Sequence, residues 1–211
     1  MMTKEELKSI LLKSDITRGT YLSQVKQMLA SAGLSKKDYQ VADGASKMCI
    51  ILKGANFVIK WSTCYNNESG FDEAYDEVLI YKKAVKAGLE MFFPKTEVFC
   101  TYNGITFVIQ EKIDFSTFDI PMSKVNRYTY KTRTVSPAVI EKMDNCFYQM
   151  RRGRELNPLW ASMAIILYGK RRCKALCKFI VENNINDLHD SNIGYLKDKP
   201  IILDFSGYHR D

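Results

Sequence analysis

The 211-residue chain has no long hydrophobic run. Its longest apolar stretch, near 159–168, falls well short of the roughly 20 residues a membrane-spanning helix needs. Residues 1–13 carry Glu5 and Glu6 without an apolar stretch, so no secretory signal is expected there. Histidine is scarce (2), and the six cysteines, at 49, 64, 100, 146, 173 and 177, form no C-x-x-C pair and have no clustered histidines. That excludes the usual zinc ribbons and gives no disulfide framework. Reduced, mostly buried thiols in a cytoplasmic protein are expected. Cys173 and Cys177 stand one helical turn apart, but further metal ligands are lacking, and they read as core residues. With 11 glycines, 5 prolines, no internal repeat and no Pro/Gly/Ser-rich linker, collagen-like, low-complexity and disordered chains are excluded.

What is present is an ordinary globular composition: 46% hydrophobic, 26% charged, with 12 Tyr and 11 Phe to build an aromatic core. The length suits one large domain or two small lobes, and a core without staples. The net charge of +7 is unevenly spread. Lys124, Arg127, Lys131 and Arg133 lie in a stretch without acids, as do Lys170, Arg171, Arg172, Lys174 and Lys178. Such fields favour an anionic partner. Tyr128 and Tyr130 would give the first stretch stacking surfaces for nucleic-acid bases, although a solvated loop is the plainer reading.

Residues 4–13 and 18–32 read as helices, with Asp15 and Thr17 as starters and Gly33 as a stop. Tyr21, Leu22, Val25, Met28 and Leu29 mark a buried face on the second. Residues 48–52 and 56–61 form a hairpin through Lys53-Gly54, preceded by the small-residue loop Gly44-Ala45-Ser46. A helix over 71–87 carries the stripe Phe71, Ala74, Tyr75, Val78, Leu79, Tyr81 and Val85, and Gly88 ends it. Residues 94–102 and 105–111 form a second hairpin through Asn103-Gly104. Helices are expected over 137–152 and 157–183, then a polar loop and a buried strand over 200–205 within a small late hairpin. The class is therefore α+β.

Three segments concentrate chemistry. Lys60 closes the apolar strand Phe57-Val58-Ile59, where a buried ammonium is costly without a partner. Glu73 and Glu77 on the next helix are candidate partners, with Glu77 nearer the apolar stripe. Near the end stand Asp187-Leu188-His189-Asp190-Ser191-Asn192 and then Ile201-Ile202-Leu203-Asp204-Phe205-Ser206-Gly207. Each has a plain reading alone: a snorkelling strand-end lysine, a solvated helix face, turn-forming Asp and Asn. His189 reads as a loop-supporting residue and Asp190 as a turn former.

In order and spacing, D-x-x-x-x-N followed by an apolar strand ending D-F-x-G resembles the catalytic half of the protein-kinase-like superfamily. The form Asp187-Leu188-His189-x-x-Asn192 is more similar to aminoglycoside-phosphotransferase-type kinases and small phage or bacterial kinase-like proteins than to eukaryotic protein kinases. The resemblance covers residues 39–211. It implies a two-lobe fold: an N-terminal helical extension (1–38), a strand-rich N-lobe with one helix (39–114) and a truncated, mainly helical C-lobe (115–211). It implies ATP and Mg²⁺ as cofactors and γ-phosphoryl transfer to a hydroxyl acceptor. Asp187 becomes the catalytic-loop base, Lys60 the phosphate-binding lysine, Glu77 its helix partner, and Asn192 and Asp204 the metal ligands. Gly44 and Ser46 fall in the phosphate loop, and the backbone near Gln110 to Lys112, Glu111 within it, in the hinge beside the adenine, with nucleotide expected between the lobes.

Three departures accompany the resemblance. Ile185 replaces the usual histidine, only Gly44 stands where G-x-G-x-x-G is usual, and seven residues follow Asp204. The short C-lobe leads to the expectation that Leu159, Trp160, Ile165 and Ile166 need cover from a protein partner or a second copy. The sparse glycine loop and the short C-lobe keep a non-catalytic kinase-like module that binds or inhibits another protein as the alternative function. A nucleic-acid binder using the basic segments is the third.

Overall fold

Thr3 opens the first helix with a capping box. Its hydroxyl accepts the Glu6 N–H at 3.2 Å, and its own N–H donates to the Glu6 carboxylate at 2.7 Å. The helix is α1 (Lys4–Leu12). The computed structural model describes residues 2–17, 19–44, 46–63, 72–113, 158–185, 187–188, 192–197 and 199–206. The expected helix over 137–152, the basic stretch from Lys124 to Arg133 with Tyr128 and Tyr130, and His189 and Asp190 lie outside the described residues.

The second helix, α2 (Leu22–Ser31), starts later than the sequence suggests. Thr17 does not cap it, because the Thr17 N–H donates to the Thr20 hydroxyl at 2.7 Å in a local turn. Gly33, at φ +84°, ends it and lets the Leu34 N–H reach back to the Leu29 carbonyl at 3.1 Å. Next come β1 (Tyr39–Asp43), β2 (Lys47–Leu52), β3 (Phe57–Ser62), α3 (Glu73–Lys86), one 3-10 turn (Glu90–Phe92), β4 (Thr96–Tyr102) and β5 (Ile105–Glu111). Asn103 and Gly104 both take positive φ, the conformation that makes Asn-Gly a tight hairpin turn. The strands form one antiparallel sheet in the order β1-β2-β3-β5-β4.

The chain divides into two compact units: 1–79 with 95–112, and 80–94 with 113–211. The division runs through α3. In the first unit, alternation sorts the sheet into two unlike faces. Met48, Ile50 and Leu52, Phe57, Ile59 and Trp61, and Ile105, Phe107 and Ile109 pack with Leu7 and Leu11 of α1 and Val25 and Leu29 of α2. The leading helices therefore cover the sheet. The opposite face carries only a small apolar cluster, Val108 with Ala74 and Val78 of α3. Lys47, Lys60, Ser62, Thr96 and Gln110 are its buried polar members. Strand β3 is buried at all six positions because helices lie on both sides of it.

The α3 stripe differs from the sequence expectation. Ala74, Glu77, Val78 and Ala84 are buried, while Tyr75, Leu79 and Val85 are exposed at 38%, 38% and 48%. The two sets alternate at helical spacing, and the buried one contains a carboxylate that a hydrophobicity pattern passes over.

The second unit holds α4 (Pro158–Glu182), which is broken at Gly169 (φ +80°, ψ +154°) rather than continuous, and the hairpin of β6 (Ile193–Leu196) and β7 (Lys199–Ile202). Trp160 and Ile165 are not left bare. They lie in the core of this unit with Phe92, Phe93, Phe179, Ile202 and Phe205. The Trp160 indole N–H donates to the Ile201 carbonyl at 3.3 Å. The α+β class holds, with a five-stranded antiparallel sheet and four helices among the described residues. No helix among them is long and apolar enough to cross a membrane.

Candidate functional site

In the first unit the polar sheet face converges on one carboxylate. Asp72 and Ser62 fix the start of α3. The Tyr75 N–H donates to Asp72 at 3.1 Å, the Ala74 N–H to the Ser62 hydroxyl at 2.9 Å, and the Ser62 hydroxyl to Asp72 at 2.7 Å. This cap sets the register that turns Glu77 toward the sheet. Lys60 Nζ lies 3.2 and 3.1 Å from Glu77 Oε1 and Oε2. Gln110 Nε2 donates to Oε2 at 3.0 Å and to Thr96 Oγ1 at 3.1 Å. Glu77 is fully buried and Lys60 is 8% exposed. Glu77 is therefore the partner of Lys60. Glu73 instead accepts the Ser46 hydroxyl.

A second lysine reaches the same carboxylate, and sequence reading missed it. Lys47 Nζ is 3.0 Å from Glu77 Oε1 and 3.7 Å from Glu73 Oε2. The signal was in the strand pairing. Cys49 opposes Lys60, and Lys47 stands two residues before Cys49, opposite Ser62, so the two-residue period of the strand puts both lysines on one face. Beginning that strand at Met48 left Lys47 outside the pattern. Thr96 and the role of the Gln110 side chain were missed for a different reason. Both are neutral residues inside an apolar strand pattern and gain meaning only from the carboxylate opposite.

The other expected residues of this unit sit as follows. The Gly44 N–H donates to the Lys47 carbonyl at 2.9 Å, closing the β1–β2 turn. A Cβ at Gly44 would meet that carbonyl oxygen at 3.2 Å, which favours glycine there. The Glu111 N–H donates to the Lys95 carbonyl at 2.8 Å, and the Lys112 N–H to the Asn56 carbonyl at 2.9 Å. These two amides are used within the unit.

Burial pushes the half-buried Cys49 thiol up to about 11, the Lys60 charge opposing and the Glu77 charge adding to the shift. Cys173 and Cys177 are buried in the second core, and burial pushes Cys173 up to about 12. An unfolded cysteine ionises near its ordinary value, here 9.0. The folded chain then holds protons that the unfolded chain has lost. Stability should be unaffected by these thiols below pH 9 and fall as pH rises from 9 toward 11, by about 1.4 kcal/mol per pH unit for Cys49. Urea midpoints at pH 8, 9.5 and 10.5 check this, and Cys49→Ala should flatten the fall. An equal fall in that variant would remove the assignment.

In the second unit, Ile185 and Leu188 are buried anchors on either side of half-buried Asp187. The apolar Ile185 holds the loop by packing. Asn192 is the hub. Its Nδ2 donates to the Asp187 carbonyl at 2.8 Å and to Asp187 Oδ2 at 3.0 Å. Its carbonyl accepts the Leu203 N–H at 2.8 Å and the Asp204 N–H at 3.5 Å. Leu203 packs with Ile113 and Ile201, and Phe205 joins the main core against Phe93, ring centroids 5.0 Å apart. Asp204 is thereby held between two anchored apolar residues, with the Ser206 hydroxyl 3.4 Å from Oδ1. Asp187, Asn192 and Asp204 thus form one connected set.

Among the described residues no group of three or more His, Cys, Asp or Glu side chains is arranged to hold a metal. The Asn192 amide and the Asp204 carboxylate are hard oxygen donors, the type Mg²⁺ takes when phosphates supply its remaining ligands. Lys170, Arg171, Arg172, Lys174 and Lys178 are exposed, and Lys178 pairs with Glu182 at 3.5 Å. Comparison with protein-family models, curated proteins and solved structures gives no match.

Proposed function

We propose that the protein is an ATP- and Mg²⁺-dependent phosphotransferase built on a kinase-like two-lobe plan, transferring the γ-phosphoryl group to a hydroxyl acceptor. The observation that carries this reading is the buried Lys60–Glu77 pair, made by the residues that the resemblance assigns to it. A strand lysine serving only solubility would reach water. This one is held bidentately by a buried carboxylate, a costly arrangement unless the charge has a use.

In this reading each residue has a separate task. Glu77 orients Lys60, whose charge offsets that of the nucleotide phosphates. Asn192 and Asp204 would hold Mg²⁺, which supplies further neutralisation of phosphate charge. Asp187 accepts the proton of the attacking hydroxyl, and the Asn192 amide keeps its carboxylate in place. The acceptor class is open, because protein, sugar, antibiotic and nucleotide hydroxyls call for the same groups.

One observation favours the alternative, a kinase-like module that binds nucleotide or another protein without transfer. The Gly44 amide is closed on the Lys47 carbonyl and the Ser46 hydroxyl on Glu73, which leaves the β1–β2 turn fewer donors for phosphates. A labelled-ATP assay with Mg²⁺, with and without cell extract, separates the two. Label transfer to an acceptor is the expected result. Mg²⁺-ATP binding without transfer selects the alternative. No binding at millimolar Mg²⁺-ATP by folded protein overturns both nucleotide readings.

A further inference from the structure

Two lysines share one buried carboxylate, and only one of them has a role in the proposed chemistry. Lys60 and Gln110 already give Glu77 donors on both oxygens, yet Lys47 is brought to the same carboxylate at 3.0 Å while only 9% exposed. Burying a second ammonium carries a desolvation cost that a satisfied carboxylate does not require. Lys47 also has an acid beside it. Glu73, 15% exposed, stands 3.7 Å from its ammonium and accepts the Ser46 hydroxyl. Lys47 and Lys60 against Glu73 and Glu77 make a neutral cluster, with Glu73 at its most exposed edge.

The position of Lys47 points to a ligand. It directly follows the turn of Gly44 and Ser46, and that turn has spent its Gly44 amide on the Lys47 carbonyl. A polyphosphate carries several negative charges, and where the Gly44 amide is already used, nearby cations can take its place. We propose that Lys47 is a second phosphate-binding lysine, acting with Lys60 on the shared Glu77 carboxylate, and that Glu73 is the counter-ion a phosphate displaces from it. The proposal rests on the phosphotransferase reading for the identity of the ligand. The two-lysine anion site itself does not depend on transfer.

The test uses tripolyphosphate, which has no adenine, titrated calorimetrically into the full chain without Mg²⁺. Wild type should bind, and Lys47→Met should weaken binding about tenfold, the usual loss for one charge-assisted contact. Glu73→Gln should tighten it, because the phosphate no longer competes with a carboxylate. Lys53→Met, in the exposed β2–β3 turn, should leave it unchanged. If Lys47→Met fails to fold, Glu73→Gln decides alone: unchanged or weaker binding overturns the proposal. So does a folded Lys47→Met with wild-type affinity, or a wild type that does not bind tripolyphosphate. The expected pattern without label transfer from ATP upholds the two-lysine site and counts against the phosphotransferase reading alone.

Discussion

Glu77→Ala should be among the most destabilising single substitutions in the chain, at about 3–5 kcal/mol. The carboxylate is fully buried and accepts from Lys60, Lys47 and Gln110. Its removal leaves two ammonium groups facing each other across a space that water reaches poorly. Like-charge repulsion then adds to the lost pairing. Lys60→Met should cost less, since Glu77 keeps Lys47 and Gln110. The asymmetry is the diagnostic feature: a simple one-to-one ion pair would respond similarly to loss of either member. Urea midpoints with an unchanged m-value measure both variants. If Glu77→Ala falls within about 1 kcal/mol of wild type, the typical effect of a point substitution, the carboxylate does not hold this face together.

The sequence made much of this arrangement legible, and the gaps have physical causes. The Asn103-Gly104 hairpin and the Gly33 and Gly88 stops follow from local backbone chemistry, which short motifs encode directly. Strand β1 escaped notice because Gln40, Ala42 and Asp43 are exposed and only Tyr39 and Val41 are half-buried, too weak an alternation to mark a strand. The break at Gly169 was hidden by apolar residues that resume their helical spacing beyond it. Asp187, Asn192 and Asp204 were found by order and spacing, while their mutual hydrogen bonds emerged only in the folded hairpin. Lys47 is the instructive omission. Its partner lies thirty residues away on a helix, and only the cross-strand register and the helix register together bring them into contact.

If the protein is the proposed phosphotransferase, Asp187→Ala should abolish phosphoryl transfer and leave Mg²⁺-ATP affinity nearly unchanged. The loss should be roughly 10²–10⁴-fold in turnover, the usual contribution of a positioned general base. The local structure explains why binding should survive. Asn192 bonds to Asp187 through the backbone carbonyl at 2.8 Å as well as through the carboxylate at 3.0 Å, so alanine keeps one of the two ties. The anchors Ile185 and Leu188 are untouched, as are the bonds that the Asn192 carbonyl accepts from the Leu203 and Asp204 N–H groups just beyond β7. Asp187→Asn sharpens the test, since it preserves size and a side-chain acceptor but cannot take up the proton. It should be nearly as inactive as alanine. Asp204→Ala should behave differently and lose the Mg²⁺-dependent part of nucleotide binding, because its carboxylate is assigned to the metal. Single-turnover transfer and nucleotide titration with and without Mg²⁺, run on the three variants, separate base from metal ligand. Wild-type turnover in Asp187→Ala would end the assignment of Asp187 as the base, whatever the fate of the nucleotide site.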